Sequence, residues 1–267
     1  MTHLVVDVGN TETVVGIFRP GSLEVSGHWR YTTALPRTSD ELLLLYRTFL
    51  REAGVGAEAI ARVVVGSVSP VQTDLLRRTL PGLSPARLHI LGGAEGLPIR
   101  LDVEEPGTVG ADRIANTLAA SQLYDQDTIV VDLGTAITYD CIAAGGVFLG
   151  GVIAPGILAG QEWLALRTAK LPRVELVPPN TVIGRRTETC LQSGLFFSAV
   201  DALDGIVGRI KAEWGRPEVQ VVATGGHATV VAGHSRTIQR VDPYLTLVGL
   251  ELAGRYLDGE VTGRRRS

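Results

Sequence analysis

The chain has 267 residues, 45% of them hydrophobic, which is enough to bury the core of one large domain or of two smaller ones. Its formal charge of −3 comes from interspersed acidic and basic residues. This excludes a polyanion-binding face outside the terminal Arg264, Arg265 and Arg266, which we interpret as a solvated end.

Cys141 and Cys190 are far apart and outside any paired metal-ligand spacing, which fits a reducing cytoplasm and argues against a disulfide scaffold. The N-terminus lacks the basic start and apolar run of a signal peptide, and no apolar run reaches the ~20 residues of a membrane span. We therefore expect a soluble, cytoplasmic protein with no membrane or nucleic-acid partner.

Hydrophobic periodicity predicts strands and helices in the pattern of an α/β protein. The predicted strands are 4–6, 14–18, 28–32, 61–66, a strand from 129, and 219–223. The predicted helices are 40–53, capped by Ser39 or Asp40, then 71–80, one that begins close to Asp112, 158–168, 189–210 and 245–257. Residues 81–98 are rich in glycine and proline, and no element is predicted there.

Two stretches repeat the same strand, acidic turn and second strand. LVVDVGNTETVVGIF spans 4–18 and IVVDLGTAITYDCI spans 129–142, with Asp7 and Asp132 in matching places. A carboxylate beside glycine at the end of an apolar strand suits metal-held phosphate, and the amides of such a turn can cradle anionic oxygens. Either copy alone is more often an ordinary hairpin turn. The duplication predicts two lobes with a phosphate-handling cleft.

A third glycine turn, ATGGHA, follows the predicted strand 219–223, and Gly225 and Gly226 would let the backbone approach a nucleotide closely. DVGNT, DLGTA and ATGGHA resemble, in that order, the two phosphate motifs and the adenosine motif of the acetate kinase, sugar kinase and actin superfamily. The resemblance implies an α/β fold of two duplicated actin-like (ribonuclease H-like) lobes, each a mixed sheet with helices, with the active-site cleft between them. We expect lobes at 1–119 and 120–258 and a flexible basic tail at 259–267, although the closing helix can pack back on the first lobe.

Several other enzyme classes have no motif in this chain. The two lysines, Lys170 and Lys211, do not follow glycine, so the P-loop pattern GxxxxGK[ST] is absent. HExxH and GxSxG are absent as well. P-loop kinases, HExxH metalloproteases and α/β-hydrolases are therefore excluded.

The segment GADR, residues 110–113, comes at the start of a predicted helix. The helix dipole and the adjacent Arg113 both favour the ionised form of Asp112. Such a carboxylate can orient an acceptor hydroxyl during phosphoryl transfer and receive its proton late. On spacing alone, a helix cap beside a surface arginine is the favoured interpretation.

The order DVGNT, PGTVGADR, DLGTA, GGVIAPG, VIGRRT and ATGGHA resembles the type III pantothenate kinases over nearly the whole chain. The resemblance implies ATP-dependent phosphorylation of pantothenate to 4′-phosphopantothenate, the first step of coenzyme A biosynthesis. It implies ATP, Mg²⁺ and a monovalent cation, K⁺ or NH₄⁺, as cofactors. It also implies a homodimer in which both chains shape the pantothenate pocket.

The same resemblance implies a role for each site residue. Asp112 matches the proton acceptor, Asp132 matches the ligand of the monovalent cation, and magnesium is expected near Asp7. The implied contacts of ATP are Asp7, Val8, Gly9, Asn10, Thr11, Glu12, Thr13, Val14, Gly134, Thr135, Gly225 and Gly226. The implied contacts of pantothenate are Val103, Gly110, Ala111, Asp112, Arg113 and Thr187.

The chain departs from the family pattern at three places. Val103 stands in VEEP where the family usually has the tyrosine of a YxxP pattern, so a substrate-side aromatic contact is lost. Ile137 precedes Thr138 where two threonines are usual, and Arg186 stands where asparagine is common. These changes bear on substrate affinity more than on nucleotide binding.

Two other functions stay open at this point. The family includes accessory factors named for transcriptional effects, so the chain could be a non-catalytic regulator, although its Asp7, Asp112 and Asp132 argue against this. It could also be a kinase of the same superfamily that phosphorylates another small hydroxylated acceptor.

Overall fold

The computed structural model describes residues 1–261 and divides them into two compact units. The first unit contains residues 1–125, 145–148 and the described residues from Tyr244 onward, and the second contains 126–144 and 149–243. The first boundary lies close to the predicted one at 119. The closing helix, which we expected either in the lobe 120–258 or packed back on the first lobe, belongs to the first unit. Of the predicted tail 259–267, residues 262–267 lie outside the described residues.

Strands and helices occur in the following bounds. The strands are β1 Thr2–Val8, β2 Glu12–Phe18, β3 Val25–Thr32, β4 Ile60–Ser67, β5 Arg87–Leu91, β6 Arg100–Leu101, β7 Thr128–Leu133, β8 Ala136–Ala143, β9 Val147–Pro155, β10 Gln220–Thr224 and β11 Arg240–Val241. The helices are α1 Ser39–Glu52, α2 Pro70–Thr79, α3 Ala111–Leu123, α4 Ala159–Arg167, α5 Thr187–Trp214, α6 Ala228–Ala232 and α7 Leu245–Leu257. Short 3₁₀ turns lie at Ala57–Ala59, Leu80–Gly82 and Pro106–Thr108.

The two sheets share one plan, which confirms the predicted duplication of a mixed sheet. The first sheet has the order β3-β2-β1-β4-β5, and the second has the order β11-β10-β7-β8-β9-β6. In the first, β1 and β2 form an antiparallel hairpin and β4 lies parallel to β1. In the second, β7 and β8 form the hairpin and β10 lies parallel to β7. In each sheet the acidic turn therefore ends a central strand.

Each unit has its own apolar core. In the first unit, β1, β2 and β4 pack with α1 and α2 around residues such as Val6, Tyr46 and Leu76. In the second unit, β7 and β10 pack with α5 around residues such as Val131 and Phe196. Strands buried on both faces read as continuous apolar runs, and for this reason the sequence predicted them correctly.

The N-cap of α1 is Thr38, so the prediction of Ser39 or Asp40 was wrong. The backbone N–H of Glu41 donates to Thr38 Oγ1 at 3.3 Å, and Thr38 N donates to Glu41 Oε2 at 2.7 Å. This reciprocal pair satisfies two backbone donors at once, and it requires a glutamate or glutamine three residues after the cap. Only Thr38 among the three candidates has that spacing.

Helix α5 is long and apolar enough, by length and composition, to cross a membrane, with a mean hydropathy of 1.3 over its most apolar 18 residues. Its residues Phe196, Val200, Leu203 and Val207 lie in the core of the second unit. A core helix meets the same criteria, so this is weak evidence for a membrane span.

A buried ion network lies at the amino ends of β1 and β4, the opposite end of these strands from Asp7. The Arg62 side chain is 1% exposed, and it donates to Glu251 Oε1 at 3.0 Å, Asp258 Oδ2 at 3.0 Å and Glu260 Oε1 at 2.9 Å. A cavity of about 670 Å³ opens beside these side chains. Burial of a guanidinium is tolerated here because three carboxylates surround it.

Candidate active site

The first acidic turn connects β1 to β2 in the first unit. Gly9 N donates to Glu12 O at 3.0 Å, and a side-chain carbon on Gly9 would lie 2.9 Å from that oxygen. The tight closure of the turn therefore favours glycine. Asp7 is half-buried at the strand end, whereas Asn10, Thr11 and Glu12 are exposed. The turn presents polar groups of the kind that bind phosphate.

Hydrogen bonds to the protein fix the shape of this turn. Thr33 N donates to Thr11 O at 2.8 Å, and the buried hydroxyls of Thr13 and Thr33 are 2.8 Å apart. Gln72 Nε2 of α2 donates to Thr33 O at 3.1 Å. Of the predicted ATP contacts, Val8 and Thr13 are 1% exposed, so their side chains support the turn from behind.

The predicted proton acceptor lies at the same edge of the first sheet as this turn. Asp7 pairs with Gly66 of the parallel strand β4, and a side-chain carbon on Gly66 would lie 3.6 Å from Ala111 Cβ. A carbon on Gly110 would lie 3.6 Å from Val68, the residue directly after β4. Because β1 and β4 are parallel, their carboxyl ends meet here. The structure thus brings the start of α3 next to β4, whose Gly66 pairs with Asp7 of β1.

Asp112 is the second residue of α3 and is half-buried. Its Oδ1 accepts a hydrogen bond from Arg113 N at 2.9 Å, and a side-chain carbon on Gly110 would lie 2.5 Å from that oxygen. With glycine at position 110, the carboxylate can keep this position, whereas a side chain there would displace it. The Arg113 guanidinium lies 5.0 Å from the ring centre of Phe148, so Arg113 is held by a cation–π contact and is not a solvated surface arginine.

The second acidic turn connects β7 to β8 in the second unit, and two other segments of the chain form hydrogen bonds to it. Gly156 N donates to Thr135 O at 3.1 Å, and a side-chain carbon on Gly156 would lie 2.2 Å from that oxygen. On the other side, His227 N donates to Leu133 O at 3.2 Å. The turn is preorganised because separate segments hold its carbonyls.

Gly225 adopts a left-handed backbone with φ of 90°, which explains the glycine in ATGGHA. A side-chain carbon there would lie 2.4 Å from Asp132 Oδ1 and 2.7 Å from Leu133 N. We predicted that the backbone at Gly225 approaches a nucleotide closely. In the structure it approaches the second acidic turn. Asp132, Gly134, Thr135 and Gly225 come together in one place.

Thr187 is the first residue of α5 and is exposed. The VIGRRT loop folds over this helix start, because Arg185 N and Arg186 N both donate to Thr189 Oγ1 at 3.1 Å. A side-chain carbon on Gly184 would lie 2.4 Å from Cys190 N. The loop before Thr187 is thus a fixed part of the second unit.

Val103 is half-buried in a bend that follows β6 in the first unit. The preceding residue is tied to the unit because Asp102 N donates to Phe148 O at 2.8 Å. Phe148 is the ring on which Arg113 rests, so the bend that carries Val103 and the GADR segment share a neighbour.

One buried acidic residue of the second unit was not predicted from the sequence. Asp204 of α5 is 7% exposed, although it carries a charged side chain. The signal was its spacing: Asp204 follows Val200 by four residues and precedes Val207 by three, so it lies on the apolar face of the helix. A carboxylate on such a face requires partners.

Within residues 1–261, no group of three or more His, Cys, Asp or Glu side chains could hold a metal ion. This does not conflict with the expected cations. Mg²⁺ in kinases is held by one or two carboxylates together with substrate phosphates rather than by a complete protein cage.

A family model described as type III pantothenate kinase matches residues 3–209. Proteins named type III pantothenate kinase from Frankia alni and Moorella thermoacetica are 43% and 42% identical over 251 residues, covering 93% of this chain and 97% of each relative. One from Exiguobacterium sibiricum is 41% identical over 249 residues, again covering 93% of this chain and 97% of the relative.

Solved structures share the fold at low sequence identity. A protein described as a Baf family transcriptional activator from Campylobacter jejuni matches with a TM-score of 0.60 and 18% identity, over 97% of this chain and 100% of that one. A ROK hexokinase from Thermus thermophilus matches with a TM-score of 0.52 and 14% identity, over 97% of this chain and 99% of that one. At these identities the likeness concerns the fold alone, and it confirms the predicted actin-like class.

Proposed function

The chain belongs to the type III pantothenate kinase family, and we infer that it transfers the γ-phosphoryl group of ATP to the primary hydroxyl of pantothenate. The product is 4′-phosphopantothenate, and the reaction is the first step of coenzyme A biosynthesis. The structural observation that supports this function best is that the helix start carrying Asp112 packs against the end of β4, the strand that pairs with Asp7.

Asp112 is proposed as the proton acceptor. Arg113 N holds Oδ1 at 2.9 Å, which orients the carboxylate and leaves Oδ2 to accept the proton of the pantothenate hydroxyl. The transition state of phosphoryl transfer is loose, so this group mainly orients the acceptor and receives the proton late. We propose that Val103, Gly110, Ala111, Arg113 and Thr187 contact the rest of pantothenate.

We propose that the two acidic turns bind the phosphates of ATP. In the first turn the exposed Asn10 and Thr11 would contribute side-chain donors, and the backbone amides would contribute the rest. In the second turn the exposed Thr135 hydroxyl would contribute such a donor, and Gly134 would let the backbone come close to the phosphates. Because both turns are already hydrogen-bonded to the protein, little ordering entropy is lost when ATP binds.

The residues present fit the two expected cations. Asp7 is a single half-buried carboxylate at a phosphate turn, which suits a Mg²⁺ ion that also binds ATP oxygens. Asp132 lies among the closely packed backbone of Leu133 and Gly225, which suits a monovalent cation with oxygen ligands. When bound, these cations would offset the negative charge of the phosphates, since no lysine is among the proposed site residues.

The proposed homodimer is supported by large apolar side chains exposed on the second unit. Trp163 and Leu166 on α4 are 61% and 80% exposed, and Val182 and Ile183, shortly before Thr187, are 67% and 82% exposed. Such surfaces usually mark protein contacts. A second copy that covers them would lie close to a proposed pantothenate contact. We expect Leu166→Glu to weaken the dimer in light-scattering chromatography, whereas Leu44→Glu, on the exposed face of the first unit, leaves it intact.

The test of the reaction is ATP-dependent phosphorylation of pantothenate by the purified protein with Mg²⁺ and either K⁺ or Na⁺. Potassium-dependent formation of phosphopantothenate is expected. Equal rates in both buffers would refute the cation proposal alone. Folded protein that forms no product in either buffer would refute the pantothenate assignment and favour the regulator. A faster acceptor in a panel of small hydroxylated compounds would replace pantothenate as substrate.

A further inference from the structure

Asp204 is the buried centre of a hydrogen-bond cluster in the second unit. Its Oδ1 accepts from Ser235 Oγ at 2.6 Å, Thr237 Oγ1 at 2.7 Å and Thr237 N at 3.2 Å. Its Oδ2 accepts from Arg236 N at 3.0 Å and from Arg236 Nε at 3.4 Å. One carboxylate therefore fixes three consecutive residues of the loop that follows α6.

This cluster keeps the carboxylate charged. Burial by itself raises the pKa of Asp204, but the hydrogen bonds from Ser235, Arg236 and Thr237 outweigh it and hold the pKa below its usual value. The charge also affects Tyr139 of β8. The pKa of Tyr139 is raised to about 12, mainly by burial and to a smaller extent by the negative charge of Asp204. Asp204 thus binds the loop after α6, and its charge also acts on the strand that leaves the second acidic turn.

Only the short helix α6 separates the ATGGHA turn from the loop that Asp204 holds. α6 has five residues, and the turn directly before it donates from His227 N to Leu133 O. Ala228 and Val231 of α6 are fully buried, and His234 packs edge-on against Phe196 of α5 at 4.9 Å. α6 is therefore fixed at its start by the second acidic turn and at its end by α5.

We propose that Asp204 is a positioning residue for nucleotide binding, which holds residues 235–237 and, through α6, sets the position of the turn at Gly225 and Gly226. This inference rests on the proposed binding of ATP at that turn. Asp204 itself touches neither substrate in this proposal.

The test is Asp204→Asn, which keeps the shape of the side chain. The amide NH₂ of asparagine at Oδ2 would face the two donors of Arg236, so those bonds are lost and the loop shifts. The matched control is Asp201→Asn, the same charge change at an exposed position of α5. Kd for ATP is measured by calorimetry with Mg²⁺, and KM for each substrate and kcat are measured well below the melting temperature.

We expect Asp204→Asn to raise Kd and KM for ATP about tenfold, the scale of one charge-assisted hydrogen bond. KM for pantothenate stays within about twofold, and Asp201→Asn behaves as the wild type. If the role of Asp204 were purely structural, the substitution would lower the melting temperature but would not raise KM for ATP selectively over KM for pantothenate.

Wild-type affinity for ATP in folded Asp204→Asn, or equal rises of both KM values, would overturn the inference. If Asp204→Asn does not fold, Ser235→Ala removes the 2.6 Å bond to Asp204 together with the bonds that Ser235 Oγ accepts from Thr237 N and Ile238 N. It leaves the carboxylate in place and is expected to raise KM for ATP about threefold, whereas an unchanged KM there overturns the inference. A wild-type protein that does not bind ATP would overturn the proposed function and this inference with it.

Discussion

Gly249 is the position where a single methyl group should disturb the first unit most. A side-chain carbon there would lie 2.0 Å from Ala115 O, 2.4 Å from Ala115 C and 2.8 Å from its Cα. These are backbone atoms of α3, so no side-chain rotation relieves the overlap. To reach ordinary contact at 3.4 Å, α3 and α7 must separate by about 1.4 Å.

We expect Gly249→Ala to lower the free energy of unfolding by about 3 kcal/mol or more, at the upper end of the cost of overpacking. The matched control is Gly208→Ala on α5, where a side-chain carbon meets nothing within 4 Å. At that position alanine should stabilise the helix by about 0.5–1 kcal/mol because it replaces glycine in a helix interior. The same substitution is thus expected to have opposite signs at the two sites.

The assay is urea denaturation followed by circular dichroism, with midpoint and slope compared among the three proteins. The separation of α3 from α7 also displaces Asp112, so kcat should fall in Gly249→Ala even at temperatures where the variant stays folded. A midpoint of Gly249→Ala equal to or above that of the wild type would refute the packing argument.

Further predictions concern the carboxylates. Asp112→Asn should lower kcat about 100-fold or more and leave Kd for ATP nearly unchanged, because it removes the proton acceptor and keeps the shape, while exposed Asp102→Asn serves as its control in the same assay. Asp132→Asn should abolish the advantage of K⁺ over Na⁺, and retention of that advantage would exclude Asp132 as the cation ligand. Burial raises the pKa of Asp258, but hydrogen bonds from Arg87, His89 and Arg62 outweigh it and lower the pKa from 3.8 to about 2. Because the folded pKa is lowered, the stabilisation is complete above 3.8 and is lost as pH falls through about 2, so the difference in urea midpoint between wild type and Asp258→Asn should be present at pH 7 and shrink over that interval.

The central strands and the three glycine turns could be predicted from the sequence because they rest on local signals. Apolar runs bounded by glycine define β1, β4, β7 and β10, and the helix after GADR begins one residue before Asp112 as expected. The strand β5 was missed because its sequence, RLHIL, lies within a stretch rich in glycine and proline and mixes charged with apolar residues. Its place in the sheet depends on pairing with β4, which is a tertiary effect.

The fine structure of the site could not be predicted because it depends on neighbours distant in sequence. Gly156 and Gly225 both read as turn glycines, and only the fold shows that they close on Thr135 and Asp132. Likewise, the sequence suggests a surface arginine at position 113, whereas the structure places it over Phe148. Hydrophobic periodicity cannot predict such contacts, because it indicates which face of an element is buried and not which residues pack against that face.

The placement of α7 in the first unit bears on how the chain is made. Residues 1–125 leave the ribosome early, but the unit they form lacks its closing helix, whose residues 245–254 are all buried, until that helix has been made. The second unit ends at residue 243 and is complete before that helix emerges. The first unit is therefore finished after the second, and a truncation before Tyr244 exposes the apolar side of α3 rather than damaging the second unit.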